Sequence, residues 1–291
     1  MDRAQNPNDS QIRFTRKAPG GESEVKQQMK TTNYRGMIPE PGSKVAAGDI
    51  AKMIDHSLLK PELTRQEVEE GCRIAREYGC ASVCVKPCDV EIAAEILKGT
   101  GVLVTTVIGF PHGHHLTEIK VLEAEAAIRQ GCREIDVVLN IGRLKSRDYC
   151  FVEEDIRAVT DAAHRSGALV KVILENFYLT DKEKITACRI CEHAGADFVK
   201  TSTGFAGGGT TAGGGATIHD LRLMRETCSE KVRVKAAGGV RTLDAALAVR
   251  AVGAARIGAT ATRAIMDAAR AREREGTLTI PDSVGELSEG Y

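Results

Sequence analysis

The sequence predicts a single (β/α)8 TIM barrel, an α/β fold in which eight parallel strands alternate with helices. The chain has 291 residues, and barrels of this class commonly take about 250. From residue 46 onward, short apolar runs alternate eight times with helical stretches rich in Ala, Glu and Arg. Short connections between such runs favour parallel pairing through right-handed crossovers. The glycines cluster late in the chain rather than after the first strand, which argues against the alternative, an open doubly wound sheet.

The helices between the strands carry recognisable start and stop signals. Thr64 precedes Glu67, and Thr180 precedes Glu183, with the spacing of a capping box. Gly79 follows one helical stretch directly, as is typical of a helix end. The predicted strands are 52–56 (KMIDH), 81–87 (ASVCVKP), 102–110 (VLVTTVIGF), 134–142 (EIDVVLNIG), 169–176 (LVKVILEN), 197–204 (DFVKTSTG), 232–239 (VRVKAAGG) and 255–260 (ARIGAT).

Composition divides the chain into a barrel and two flanks. Residues 1–45 are rich in Asn, Gln, Lys, Pro and Gly and lack a sustained apolar period, which indicates a flexible N-terminal extension. The barrel is expected over 46–275. Residues 276–291 are interpreted as a C-terminal tail.

Charge and hydropathy exclude several classes of function. Forty basic residues balance forty acidic ones, and Trp is absent, so neither a nucleic acid nor a membrane is an expected partner. No apolar run approaches the roughly 20 residues of a membrane span, and the N-terminus lacks a signal-peptide core. The nine scattered cysteines indicate free thiols in a reducing compartment, hence a cytoplasmic protein.

Two short motifs resemble metal sites but are expected to be structural. Cys188 and Cys191 form one CxxC inside a helical pattern, without the second pair of a zinc site. His112, His114 and His115 lie in one turn, where three adjacent residues seldom converge on one metal ion. We therefore expect no metal site at either motif.

Lysines at the predicted strand ends point to covalent chemistry. Lys200 and Lys235 end neighbouring strands, and two ammonium groups in one apolar cavity disfavour each other's charged form. An unprotonated lysine is a nucleophile for carbonyl carbon and forms a Schiff base. Asp136, inward on the fourth strand, is the expected acid–base group. A single such lysine, Lys171 included, usually pairs with a carboxylate, but three on inward-facing strands are costly to bury without a use.

Glycines after the last strands indicate where an anion would bind. Gly238 and Gly239 follow the seventh strand and precede a helix, and Gly258 lies in the eighth strand. In barrels these loops often bind phosphate through backbone N–H groups. Gly204 would add a further donor. The alternative is that these glycines only make the turns.

Seven motifs in order resemble deoxyribose-phosphate aldolases. They are IDHSLLKPELT, SVCVKP, VIGFPHG, EIDVVLNIG, FVKTSTGF, VKAAGGVRT and RIGAT, and together they span roughly residues 48–270. The resemblance implies a (β/α)8 class I aldolase that needs no metal or cofactor. Its small-molecule partner is a phosphorylated sugar, 2-deoxy-D-ribose 5-phosphate, cleaved reversibly to acetaldehyde and D-glyceraldehyde 3-phosphate in deoxyribonucleotide catabolism. Dimers are common in that family, so a homodimer is one expected assembly.

The same resemblance implies roles for individual residues. Lys200 corresponds to the Schiff-base lysine, Lys235 to the neighbour that perturbs its pKa, and Asp136 to the proton shuttle. The supporting residues are Asp55, Lys171, Cys84 and a C-terminal tyrosine, Tyr291. The phosphate would meet Gly204, Gly238, Gly239, Arg241, Gly258, Ala259 and Thr260.

The sequence departs from the family pattern in two places. Adjacent serines often follow RIGAT in the family, whereas this chain has ATATR, which puts one hydroxyl contact to the phosphate in question. The loop 206–215 is lengthened by a near-duplicated AGGG element, either a mobile flap or a tolerated slack loop. Two rival functions stay open: a related Schiff-base aldolase for another phosphorylated sugar, and a phosphate-binding barrel without catalysis.

Overall fold

The predicted barrel is confirmed. The computed structural model describes residues 38–209 and 214–285, and its strands form one closed sheet in the order of the sequence. Every neighbouring pair is parallel, and the eighth strand closes the barrel by pairing with the first. The strands are β1 (Ile54–Leu58), β2 (Ser82–Val85), β3 (Leu103–Ile108), β4 (Glu134–Val138), β5 (Leu169–Ile173), β6 (Phe198–Lys200), β7 (Arg233–Ala237) and β8 (Ala254–Ala259).

Helices alternate with the strands and cover the outside of the barrel. Within 38–209 and 214–285, three short 3-10 turns follow strand ends, at Pro87–Asp89, Asn176–Tyr178 and Ala206–Gly209. The α-helices are α1 (Ala47–Ala51), α2 (Arg65–Tyr78), α3 (Val90–Leu97), α4 (Thr117–Arg129), α5 (Ile141–Lys145), α6 (Tyr149–His164), α7 (Asp181–His193), α8 (Ile218–Thr227), α9 (Leu243–Ala251) and α10 (Thr262–Arg274).

The start signals form as the sequence predicts. Thr64 accepts a hydrogen bond from the Glu67 N–H, and Glu67 accepts one from the Thr64 N–H, so both halves of the capping box are present. Thr180 caps α7 in the same way. Gly79 ends α2 in the left-handed region with φ 66°, a conformation that glycine adopts without a steric penalty.

The strands alternate between an outer apolar face and an inner polar face. On β4, Ile135 and Val137 are buried among the outer helices, whereas Glu134 and Asp136 are buried inside the barrel. This is the period of two expected of a strand. Parallel strands bring all their carboxyl ends to one rim, so the polar side chains near the strand ends converge there.

The described parts of the two flanks pair with each other beside α1. Lys44 and Thr279 form an antiparallel bridge, the Gly42 N–H donates to the Ile280 carbonyl, and the Val45 N–H donates to the Leu278 carbonyl. The domain boundaries expected at 45 and 276 stay a prediction. Over the ranges that the structure describes, each helix is too short or too polar to cross a lipid bilayer.

Candidate active site

Asp136 brings the three predicted lysines together. Its Oδ2 accepts hydrogen bonds from the ammonium groups of Lys200 (2.8 Å) and Lys235 (2.7 Å), and its Oδ1 accepts one from Lys171 (2.9 Å). The register explains this convergence, since Asp136 lies opposite Lys171 and Lys200 lies opposite Lys235. All four side chains are buried.

The two lysines that share Asp136 differ in their second neighbours. Lys235 also contacts the Asp55 carboxylate at 2.5 Å. Burial alone would lower the pKa of Lys235, but the charges of Asp136 and Asp55 outweigh it and raise the pKa. Burial and the charge of Lys235 together outweigh Asp136 at Lys200, so its pKa lies below the ordinary value. Lys200 is therefore the lysine that loses its proton more readily.

A register shift places Lys235 in this position. Val234 pairs with Ala254, but the next residue, Lys235, pairs with Arg256, so β8 carries one extra residue here. Such irregularities often occur beside active sites, where they redirect a side chain.

Two charged residues that were not predicted from the sequence, Glu134 and Arg256, lie below the lysines. Glu134 contacts Lys171 at 2.6 Å and Arg256 at 2.5 Å, and Arg256 also contacts Asp55 at 2.8 Å. A signal was available, because Glu134 lies two residues before Asp136 and therefore faces the same side of β4. These ion pairs tie Asp55 and Lys171 to the base of the site.

The ion-paired cluster is electrically balanced when one lysine is neutral. It contains four cations and three carboxylates. A buried cluster with net charge is costly, so neutrality favours loss of one proton, which Lys200 gives up most readily. Burial alone would raise the pKa of Asp136, but the surrounding ammonium groups hold it well below its ordinary value. The members are Asp55, Glu134, Asp136, Lys171, Lys200, Lys235 and Arg256.

Cys84 lies among these charges as a protonated thiol. It is buried in β2, where burial and the negative charge of Asp136 raise its pKa to about 11. A thiol is a poor nucleophile compared with a thiolate. Cys84 therefore packs beside the lysines without competing for a carbonyl.

Three of the predicted phosphate-binding glycines adopt the left-handed conformation at the strand ends. The φ angles are 87° at Gly204, 81° at Gly238 and 91° at Gly239. In the described parts of the chain, the amides of Gly204 and Gly239 have no backbone or side-chain acceptor. A Cβ on Gly238 would lie 2.8 Å from the Cα of Gly215, so the loop after β6 packs directly on this turn.

The other residues of the predicted phosphate site lie at two helix starts. Gly258 and Ala259 end β8, and Thr260 is exposed just before α10. A Cβ on Gly258 would lie 3.8 Å from Cε of Lys235, so this strand end adjoins the lysines. Arg241 is exposed just before α9.

Two predictions fall partly or wholly on residues outside the described ranges. Tyr291 lies beyond residue 285, so its proximity to the site stays a prediction. The loop 206–215 is described up to 209 and again from Gly214, where a Cβ would lie 3.1 Å from the Ala206 carbonyl oxygen. Neither the flap nor the slack-loop interpretation is tested.

The described residues contain one group with metal-binding spacing, and it is not one of the two motifs noted in the sequence. Asp181, His219 and Asp220 bring their ligand atoms within 4.8 Å of one another. Lys184 already lies between the carboxylates, 3.2 Å from Asp181 and 2.7 Å from Asp220. Its ammonium group neutralises the position that a cation would take.

Comparison with known proteins agrees with this geometry. The model of the DeoC/LacD family of aldolases matches residues 50–268. A deoxyribose-phosphate aldolase of Clostridium perfringens is 53% identical over 218 residues, covering 75% of this chain and 94% of that protein. Deoxyribose-phosphate aldolase 1 of Bacillus licheniformis is 54% identical over 224 residues, covering 77% and 97%.

A solved structure extends the similarity to the backbone. The tetrameric deoxyribose phosphate aldolase of Aeropyrum pernix superposes with a TM-score of 0.70 at 29% identity, covering 77% of this chain and 92% of that one. The family model spans most of the barrel, including every strand and the paired lysines. The chain therefore belongs to the DeoC/LacD family of aldolases.

Proposed function

We propose that the chain is a class I aldolase that reversibly cleaves 2-deoxy-D-ribose 5-phosphate to acetaldehyde and D-glyceraldehyde 3-phosphate. The observation that carries the proposal is the unequal lysine pair. Lys200 and Lys235 share one oxygen of Asp136, and only the pKa of Lys200 is lowered. A neutral lysine next to a protonated one supplies both a nucleophile and a proton donor. The names of the similar proteins support the choice of substrate.

The first step is addition of Lys200 to the C1 aldehyde. The neutral Nζ attacks the carbonyl carbon and forms a carbinolamine, whose hydroxyl group leaves as water after it takes up a proton. The Lys235 ammonium group donates a hydrogen bond to Asp136, so these two groups relay that proton. When Lys200 forms the iminium, the Asp136 carboxylate stabilises the positive charge that develops on its nitrogen.

The iminium then accepts the electrons of the breaking C2–C3 bond. The C3 hydroxyl group loses its proton, directly or through water, to Asp136, which the ammonium groups around it keep ionised until it accepts that proton. D-glyceraldehyde 3-phosphate leaves, and the two remaining carbons form an enamine on Lys200. Protonation at C2 and hydrolysis release acetaldehyde and restore the lysine, with Tyr291 as a further proposed proton donor.

The phosphate group is proposed to bind at the glycine turns after β6, β7 and β8. The amides of Gly204 and Gly239, which have no acceptor among the described residues, and the start of α10 offer backbone donors to an anion. Ala259, Thr260 and the Arg241 guanidinium are the further contacts that we propose.

Retro-aldol assays test this function against its rivals. Wild type should release D-glyceraldehyde 3-phosphate from 2-deoxyribose 5-phosphate, and both Lys200→Leu and Asp136→Leu should abolish release. Faster cleavage of a longer keto-sugar phosphate would favour the related aldolase instead. Binding of the sugar phosphate without turnover would favour the non-catalytic barrel.

We also propose that copies of the chain pair in a reducing cytoplasm. Leu116, Ile119 and Leu122 are 66%, 44% and 57% exposed at α4, and exposed apolar patches commonly mark protein interfaces. All nine cysteines are free, which is typical of cytoplasmic proteins. Light scattering on the purified chain, and on a Leu122→Glu variant, tests the assembly: a monomeric wild type contradicts it.

A further inference from the structure

Glu175 has a backbone conformation that is unusual for its residue type. It follows β5 with φ 54° and ψ 66°, in the left-handed region. Arg147 is the other non-glycine residue with positive φ in the described ranges. Non-glycine residues seldom adopt this region, and strained positions of this kind cluster at functional sites.

The strain results from one extra residue in the segment directly after β5, where it runs beside the end of β6. The Leu174 N–H donates to the Lys200 carbonyl and the Asn176 N–H donates to the Thr201 carbonyl, both at 2.9 Å. The donors are two residues apart, but the acceptors are adjacent. In a regular parallel ladder both would be two apart, so Glu175 is a bulge residue, and the bulge turns its side chain toward the loop after β6.

The Glu175 carboxylate holds that loop through Thr203, the residue directly before Gly204. Its Oε2 accepts hydrogen bonds from the Thr203 N–H (3.1 Å) and from the Thr203 hydroxyl group. The same hydroxyl oxygen accepts a hydrogen bond from the Phe205 N–H at 3.0 Å. The turn at Gly204 is therefore fixed from below, while its own amide remains without an acceptor among the described residues.

This arrangement is not one that favours stability. Glu175 is 2% exposed, and within the described part of the chain its Oε1 has no hydrogen-bond partner. Burial raises the pKa of Glu175 in spite of the bonds from Thr203 and the charge of Lys200. A buried, half-satisfied carboxylate in a strained conformation is costly, which indicates that it is retained for a function.

We propose that Glu175 is a positioning residue that presents the Gly204 amide to the phosphate group of the substrate. The inference rests on the proposed function, since it requires a phosphorylated substrate at the glycine turns. Glu175 acts through Thr203 and does not touch the reacting atoms. Two other roles would explain the same contacts: an effect of the Glu175 charge on Lys200, or a purely structural role.

The test compares a phosphorylated and an unphosphorylated substrate. Glu175→Met removes the acceptor, Glu175→Gln keeps an acceptor oxygen without the charge, and Thr203→Val removes the hydroxyl link. Each variant is assayed on 2-deoxyribose 5-phosphate and on 2-deoxyribose, and its thermal midpoint is recorded. Because a misplaced donor to a charged group costs about one to two powers of ten in affinity, Glu175→Met should raise KM for the phosphorylated sugar by roughly 10- to 100-fold.

The remaining variants separate positioning from the other roles. Glu175→Met should leave kcat/KM for 2-deoxyribose within about threefold of wild type, and Glu175→Gln should resemble wild type with both substrates. Thr203→Val should resemble Glu175→Met, and the double variant should be no worse than either. Equal losses on both sugars, or a Glu175→Gln variant as impaired as Glu175→Met, would overturn the inference.

Titration with inorganic phosphate keeps this inference distinct from the proposed function. If wild type fails to cleave 2-deoxyribose 5-phosphate, the proposed function is wrong, but calorimetric binding of inorganic phosphate can still be compared between proteins. Weaker binding by Glu175→Met and Thr203→Val than by wild type supports the positioning role. Equal binding by all three proteins contradicts it.

Discussion

Replacing Lys235 by Met should make Lys200 harder to deprotonate. The two ammonium nitrogens lie 2.8 Å and 2.7 Å from the same Asp136 oxygen, so they are at most about 5.5 Å apart. At an effective dielectric constant of about 20, two unit charges at that distance repel by about 3 kcal/mol. This corresponds to roughly two pKa units, which the variant would lose.

The assay is the pH dependence of adduct formation between Lys200 and acetaldehyde, trapped with borohydride. In Lys235→Met the apparent pKa of adduct formation should rise by roughly two units, with the rate near neutrality falling by up to about 100-fold and recovering at high pH. Lys120→Met is a matched control, because Lys120 is another fully buried lysine, paired with Asp155 at 2.6 Å outside this cluster. An unchanged or lower apparent pKa in Lys235→Met would refute the electrostatic reasoning.

Three further predictions follow from the buried titratable groups. Asp136→Asn should lower kcat by about 10²- to 10⁴-fold in the retro-aldol assay, because it removes the proton relay; a loss below tenfold would contradict that role. Burial and the charge of Arg263 lower the pKa of His56 from 6.5 to about 4, so the unfolded chain binds the proton more tightly. The free energy of unfolding should therefore fall by up to about 3 kcal/mol as pH drops from 6.5 to 4, and urea denaturation should show a smaller fall in His56→Gln. Among the thiols, Cys88 and Cys150 are exposed, so a thiol-labelling reagent added to the native protein should modify these two and spare Cys84. Rapid labelling of Cys84 would contradict its raised pKa.

The fold was predictable because its signals are local and repeated eight times. Each strand is a short apolar run, and the capping boxes at Thr64 and Thr180 form where the sequence places them. Seven of the eight strands end earlier than predicted, for example β6 at Lys200 rather than at Gly204, whereas β1 ends two residues later, at Leu58 rather than at His56. The TSTG residues instead form a turn with hydrogen bonds to Glu175 and to the end of β7.

The lysines and Asp136 could be found because they lie on one face of neighbouring strands. The ion pair between Glu134 and Arg256 could not be predicted, because it joins β4 and β8, which do not pair with each other, although the spacing to Asp136 could have identified Glu134 itself. It depends on the width of the closed barrel, which no local pattern encodes.

Two other features could not be predicted from the sequence, because they too depend on tertiary contacts. The left-handed conformation of Glu175 is imposed by the hydrogen bonds of its two neighbours to the Lys200 and Thr201 carbonyls and contradicts its intrinsic preference. The bridge between Lys44 and Thr279 joins residues at opposite ends of the described chain. In both, tertiary contacts decide the structure, and short-range propensity does not.

The most direct test of the central claim is to identify the lysine that forms the Schiff base. Wild type is incubated with acetaldehyde, reduced with borohydride, digested and analysed by mass spectrometry. The unequal lysine pair predicts a two-carbon adduct on Lys200, and its absence in Lys200→Met. An adduct on Lys235 or Lys171, or no adduct at all, would contradict the assignment.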